Sequence, residues 1–372
     1  MGIEVRPVGG SRDRALFIRL PFALHAGHAA WVPPLLYEER RFFSGRTNSA
    51  FAYSEVRLAL AYRDGVPVGR IAGIVNRRAN EAWGLRTGRF GYLECPDDLE
   101  TAQALLRHVE DWARRLGMER LVGPMGFSDQ DPEGLWIEGF GYEPTLATYA
   151  NFPFQSSLLT ASGYEKEVDY VVYSVPVPSE PTESQVRIRR RLLARGKFWS
   201  IPVRTRRDVR RLALPALHVM NEAFHNLYGY VPLDEPEMAA LAKRYVPVID
   251  PRFLKVVASR DGLAGFVLGV PNMDPGFRAA GGRLFPFGIF RILAAARRSK
   301  QFDLLLLGVR PRFWRFGLTA LLGAELIESV HRAGLRMGDS HLILETNSRP
   351  RSEMERLGGH VSKRYRIFGK TL

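Results

Sequence analysis

The 372-residue sequence predicts two α/β units in tandem, each a mixed α+β sheet covered by helices. Three observations predict it. Arg57–Asn76, RLALAYRDGVPVGRIAGIVN, and Phe253–Asn272, FLKVVASRDGLAGFVLGVPN, are the same hairpin twice, with Gly65 and Gly262 separated by 197 positions. A second echo begins at Asn151 and again at Asn347, 196 positions on, each running through a short helical stretch to a glycine (Gly163, Gly359) and then a Tyr-containing strand. The length suits two domains, each large enough for its own core.

The elements follow in order. In the first unit, residues 1–178, Val56–Tyr62 and Val68–Asn76 alternate around the Asp64-Gly65 turn. Phe90–Cys95 is a short apolar strand. Asp97 or Asp98 then caps a helix with Leu99, Ala102, Leu105, Leu106, Val109 and Trp112 on its apolar face, ended by Gly117. Leu121 opens the next strand, and a Gly-rich loop fills 124–150. VPVPSEPTES, 175–184, reads as a linker. In the second unit, 179–372, helices are expected at 212–224 and 235–245, the hairpin at 253–272, and a strand at 304–309. A helix at 319–333, a strand at 341–345, a helix at 351–357 and a strand at 361–368 complete it.

Composition narrows the function. At 46% hydrophobic and 25% charged, the chain is that of a soluble globular protein. One cysteine, Cys95, excludes an internal disulfide framework and points to a reducing, cytoplasmic setting; no Cys/His cluster has zinc spacing, so no metal is expected. The first residues carry no secretory signal, and ALFIRLPFALHAGHAAWVPPLL is too interrupted by Arg, His and Pro to span a bilayer. The net charge of +14 favours an anionic partner. Val186–Arg211 holds eleven Lys or Arg against one acid, Asp208, and a second cluster, Arg291, Arg297, Arg298 and Lys300, lies among aromatics. Both are candidates for an anionic membrane surface, with peripheral contact at the inner membrane. No nucleic-acid motif accompanies the charge, so no nucleic acid is expected.

The segment 304–326, LLLLGVRPRFWRFGLTALLGAEL, carries the chemistry. A strand ends at Gly308 and Val309, a loop with Arg312 and Arg315 turns, and a helix begins near Leu318. Unpaired N–H groups at a helix start carry partial positive charge and can hold a pyrophosphate. Here the sequence resembles the GNAT acyltransferase superfamily. Its Val-x-Pro is matched by Val309 and Pro311, and its loop glycine by Gly317 in Trp314-Arg315-Phe316-Gly317-Leu318-Thr319. Trp314 stands where Gln or Arg is usual and Thr319 where Gly or Ala is usual. Asn347 matches the Asn of the next motif, and Met354 stands where many members have a Tyr acid. The first unit has Glu94-Cys95-Pro96-Asp97-Asp98 in the equivalent loop, whose charge would repel a pyrophosphate, so it reads as a degenerate copy.

Nearly the whole chain, including LPFALHAGHAAWVPPLLYEE, GPMGFSDQDPEGLWIEGF and LETNSRPRSEMERLGGHVSKRYRIF, resembles a bacterial family of tandem GNAT-like proteins that includes the bacterial ceramide synthases. The resemblance implies acyl-CoA as co-substrate and transfer of a fatty acyl group to the amine of a sphingoid base. The alternatives are an acetyl-CoA-dependent N-acetyltransferase of a small-molecule amine and a non-catalytic acyl-CoA-binding relic. A base for the ammonium is sought in 221–237, which lies over the acceptor pocket in GNAT folds: His225 first, then Glu222, Tyr228 and Glu237.

Overall fold

The computed structural model describes residues 2–372. Its first half contains β1 (Glu4–Pro7), α1 (Ser11–Leu24), α2 (Leu36–Phe42), β2 (Ser54–Arg63), β3 (Val66–Asn76), α3 (Arg77–Trp83) and β4 (Thr87–Glu94). α4 (Leu99–Arg115), β5 (Arg120–Gly123), β6 (Leu135–Glu138), α5 (Gln155–Ala161) and β7 (Glu165–Pro176) follow. The second half contains α6 (Glu183–Ala194), β8 (Phe198–Ile201), α7 (Arg206–Phe224), α8 (Glu235–Tyr245), β9 (Leu254–Ser259), β10 (Gly262–Pro271), α9 (Asp274–Ala280) and α10 (Gly288–Arg298). It ends with β11 (Gln301–Val309), α11 (Leu318–Arg332), β12 (Met337–Asp339), β13 (Ile343–Leu344), α12 (Ser348–Arg356) and β14 (His360–Thr371).

The expected mixed sheet is present, and it is one continuous sheet. Its order is β1-β2-β3-β4-β5-β14-β7-β12-β11-β10-β9-β8, with β6 on β14 and β13 on β7. The halves exchange their last strands. β14, from the end of the chain, lies between β5 and β7, and β7 lies between β14 and β12. This antiparallel pair, with Tyr365 opposite Tyr170, relates the halves by an approximate two-fold axis.

The two hairpins close differently. In the first, Asp64 and Gly65 both take positive φ (51° and 78°), the paired left-handed residues of a two-residue hairpin turn. In the second only Gly262 does (96°), and the register slips after Leu263, as a glycine bulge requires. The first helix of the sheet's far face behaves as its sequence demands. Asp98 accepts the Thr101 N–H at 3.1 Å, and Ala102, Leu105, Leu106, Val109 and Trp112 are buried.

Three elements differ from expectation. α7 begins six residues before position 212, because Thr205 and Asp208 form a capping box that makes the Arg-rich turn helical. The strand expected at 341–345 is β12 at Met337–Asp339 followed by the two-residue β13; His341, at φ 58°, breaks it. The basic run from 187 is divided between two helices: its first four arginines lie on α6, which packs on α11 through buried Leu192 and an Arg189–Glu328 bridge of 2.6 Å, and its last four on α7.

Each half opens a wedge. β4 and β5 run parallel for three residue pairs, Thr87↔Arg120 to Arg89↔Val122, and then diverge. β11 and β12 do the same from Gln301↔Met337 to Asp303↔Asp339. α4 and α11 cover one face beside these wedges, while α1, α2, α7 and α8 cover the other.

Candidate active site

In the second half, β11 continues from Leu304 to Val309 with nothing paired on its β12 side, and Leu304 to Leu307 are only half-buried. Alternate backbone N–H groups of that free edge face the cleft. Past Val309 the chain makes a short 3₁₀ turn, Pro311–Phe316. Buried Phe313 anchors the turn against Phe198, with ring centroids 5.2 Å apart. Trp314 secures it by donating its indole N–H to the Val309 carbonyl at 2.7 Å. Gly317 then takes φ 83°, ψ 26° and starts α11 with no side chain capping it. The first-turn donors of α11, such as the Leu318 and Thr319 N–H groups, are thereby left for an anion. Leu318 buries its side chain and offers only backbone, whereas Thr319 is half-exposed.

Cations ring the loop. Arg312 and Arg315 are exposed on it. Lys197, at the end of the α6 segment, lies over the Phe316 ring at 4.2 Å. Arg349, in the first turn of α12, lies over the Trp314 ring at 5.9 Å and so bridges the two walls of the cleft. Asn347 is the N-cap residue of that helix, and its side chain caps nothing. Its counterpart Asn151 is committed to the first half, accepting the Trp136 N–H at 2.8 Å and donating to the Trp136 carbonyl at 3.0 Å. Gly308 is required by packing as well, since a Cβ there would lie 2.9 Å from the Phe266 ring.

The four acceptor-side candidates separate. Glu222 meets the loop, with Oε1 3.3 Å from the Arg310 guanidinium. His225, one turn on, is exposed, and its Nδ1 lies 2.9 Å from the Glu222 carbonyl. A carbonyl only accepts, so Nδ1 carries the proton and Nε2 keeps a lone pair when the ring is neutral. Tyr228 and Glu237 lie instead against the first half. Tyr228 donates to Glu167 at 3.4 Å, and burial pushes its hydroxyl well above the usual range. Glu237 binds Arg78 at 2.7 Å and closes the capping box of α8. Tyr365 of β14 is buried and accepts from Thr145 N–H and the Thr148 hydroxyl, both at 3.1 Å.

Sequence reasoning missed the floor of the cleft. Asp303 and Asp339 stand side by side where β11 and β12 part. Lys363, from β14, donates to Asp339 Oδ2 at 2.5 Å and to the Glu143 carbonyl at 2.8 Å. Gln301 and Asn272 donate to Asp303 at 2.8 and 3.1 Å. Burial first, and then the Asp339 charge, pushes the Asp303 carboxyl up to about 8, so it holds a proton beside the Asp339–Lys363 ion pair. An aspartate inside the apolar run QFDLLLL was the available signal.

In the first half the equivalent helix start is closed. Asp98 caps α4, and Arg63 binds Asp98 and Glu100, each at 2.9 Å. The carboxylates of Asp98 and Glu100 at that helix start would repel a pyrophosphate.

The fold has solved counterparts. A tandem GNAT protein of the clavulanic acid biosynthesis pathway superposes with a TM-score of 0.55 at 13% identity, covering 99% of this chain and 98% of that one. A GCN5-related N-acetyltransferase from Sphaerobacter thermophilus gives a TM-score of 0.53 at 15% identity, covering 99% and 95%. This chain has a tandem GNAT fold. Two sequence relatives span nearly the whole chain. It is 27% identical to the bacterial ceramide synthase of Caulobacter vibrioides, over 100% of this chain and 98% of that protein. It is 25% identical to protein YghO of Escherichia coli, over 99% and 95%. No family model matches the sequence.

Proposed function

We propose that the protein is an acyl-CoA-dependent N-acyltransferase whose acceptor is the amine of a sphingoid base, with its reaction centre in the second-half cleft. The observation that carries the reading is the uncapped α11 start behind Gly317, ringed by Arg312, Arg315, Lys197 and Arg349. In this reading the loop N–H groups and cations hold the CoA pyrophosphate. The thioester lies along the free edge of β11, where a backbone N–H stabilises the oxyanion of the tetrahedral intermediate. His225 Nε2 takes the ammonium proton, and Glu222 steadies Arg310 at the loop. A thiol of pKa about 8.5 departs without a strong acid, which accommodates Met354 packing against β7 rather than facing the cleft.

A lipid acceptor requires access to a bilayer. Among the described residues no helix is long and apolar enough to cross one. α10 and the segment leading into it expose Phe285 (73%), Phe287 (67%), Phe290 (66%) and Leu293 (47%), with Arg297, Arg298 and Lys300 close by in sequence. Aromatics beside cations suit a peripheral contact with an anionic leaflet.

The test is a turnover assay with purified protein, sphinganine, and palmitoyl-CoA or acetyl-CoA, read by mass spectrometry. N-palmitoyl-sphinganine is expected. Acetyl transfer to small soluble amines in preference would replace the lipid reading. Failure of both donors to turn over or to raise the melting temperature would leave only a relic of the fold.

A further inference from the structure

The first basic cluster of the sequence lies, in the fold, beside the Gly317 loop. Arg187, Arg190, Arg191, Arg195 and Lys197 are all exposed, and among the described residues none of them forms an ion pair. Arg187, Arg191 and Arg195 recur every four residues and so form one stripe along α6. Like charges at that spacing repel. The helix has a single acid, Glu183, in its first turn. The dipole at the helix C-terminus offsets part of the repulsion, and a bound anion would offset the rest.

Packing fixes which way the stripe faces. Ile188 Cγ2 lies 3.0 Å from the point where a Cβ on Gly317 would stand, and Gln185 Nε2 lies 3.2 Å from the same point on Gly323 of α11. Leu192 is buried, and Arg189 bridges Glu328 of α11. Gln185, Arg189 and Leu192 therefore turn towards α11, and Ile188 towards the loop glycine. The residues one and two turns on from Ile188, along its own flank of the helix, are Arg191 and Arg195. The chain then turns at Gly196, at φ 61°, and lays Lys197 over the Phe316 ring at 4.2 Å, one residue before Gly317. Phe198 locks this segment to the loop, with ring centroids 5.2 Å from Phe313 and 5.4 Å from Phe316.

The chemistry of the donor supplies a matching anion. Besides its pyrophosphate, coenzyme A carries a phosphate on the ribose 3′ oxygen, one sugar away. A phosphate monoester bears a charge of about −1.5 to −2 at pH 7. Guanidinium groups bind it through paired, charge-assisted hydrogen bonds, and an ammonium adds a point charge. Two arginines and a lysine, unpaired and exposed beside the pyrophosphate loop, are the groups such a phosphate needs.

We propose that Arg191, Arg195 and Lys197 form a subsite for the 3′-phosphate of coenzyme A. The protein then selects an acyl group carried on intact coenzyme A over one carried on a phosphopantetheine arm alone. The subsite rests on the pyrophosphate reading of the Gly317 loop, and its test separates the two. Isothermal titration of the full chain compares coenzyme A with 3′-dephospho-coenzyme A, which differ only in that phosphate. Coenzyme A is expected to bind at least about tenfold tighter. Arg191→Gln/Arg195→Gln keeps good helix formers in α6 and should remove most of that preference. Arg190→Gln, on the side of α6 away from Ile188, should keep it. Equal affinities in the wild-type protein would overturn the subsite and leave the pyrophosphate loop standing; that is the result expected if these cations serve an anionic bilayer or an acidic carrier protein instead. A double variant that keeps the full preference would overturn it as well. Binding of neither compound would overturn both the subsite and the loop reading.

Discussion

Replacing Gly317 by alanine separates the loop's two duties. At φ 83° a side chain costs about 1–2 kcal/mol. The new Cβ would also stand 3.0 Å from Ile188 Cγ2, the end of a flexible side chain that can give way by a few tenths of an ångström. Gly65, at φ 78° with nothing within 4 Å, pays the conformational cost alone and is the matched control. Both variants should therefore melt a few degrees lower, by similar amounts. Their response to palmitoyl-CoA should differ. Ligand at a hundred times Kd stabilises by about 2.7 kcal/mol, and a tenfold loss of affinity cuts this to about 1.4 kcal/mol. At one fixed ligand concentration the melting shift of Gly317→Ala should fall to about half, while Gly65→Ala keeps the full shift. Equal shifts in the two variants would refute the placement of the pyrophosphate at this loop.

Other perturbations test the frame around it. Asp303 is protonated in the fold and ionised when unfolded above about pH 4, so its contribution to stability is complete below that pH and is lost as pH rises towards its folded value of about 8. Asp303→Asn should flatten the fall in melting temperature between pH 5 and 8.5; an unchanged slope would show that another group causes it. Lys363→Met leaves Asp339 buried without its counter-charge and should cost about 3–5 kcal/mol in urea melts, with Lys363→Met/Asp339→Asn recovering part of the loss. Trp314→Ala removes both the clasp on the Val309 carbonyl and the Arg349 contact, and should raise KM for acyl-CoA more than it lowers kcat. Deleting residues 360–372 removes the strand between β5 and β7 and should abolish cooperative unfolding of both halves, not only of the second.

What the sequence made legible was local. The Asp64-Gly65 turn, the Asp98 cap, the apolar face of α4 and the strand–loop–helix at 309–319 are each specified within about a dozen residues, and each was readable. What it hid depends on pairing across hundreds of residues. The strands β7 and β14 each follow a helical stretch that opens at an Asn, Asn151 or Asn347, 196 positions apart, so either could complete either half, and nothing in their patterns says that they trade places. The same reason hides the first-half cavity. The stretch around His25 and Trp31 reads from sequence only as a failed membrane span, and Glu39, Arg70 and Glu94 look like scattered surface charges. They acquire a meaning only when β3 and β4 carry Arg70 and Glu94 beneath α2. The repeat thus misleads in one respect. A closed helix start in the first copy marks loss of the phosphate site, yet the wedge beneath it survives with two carboxylates and an apolar wall, because Asp98 seals the helix without filling the gap between β4 and β5. Loss of the phosphate site and retention of a gap between the strands are therefore separate events in this fold.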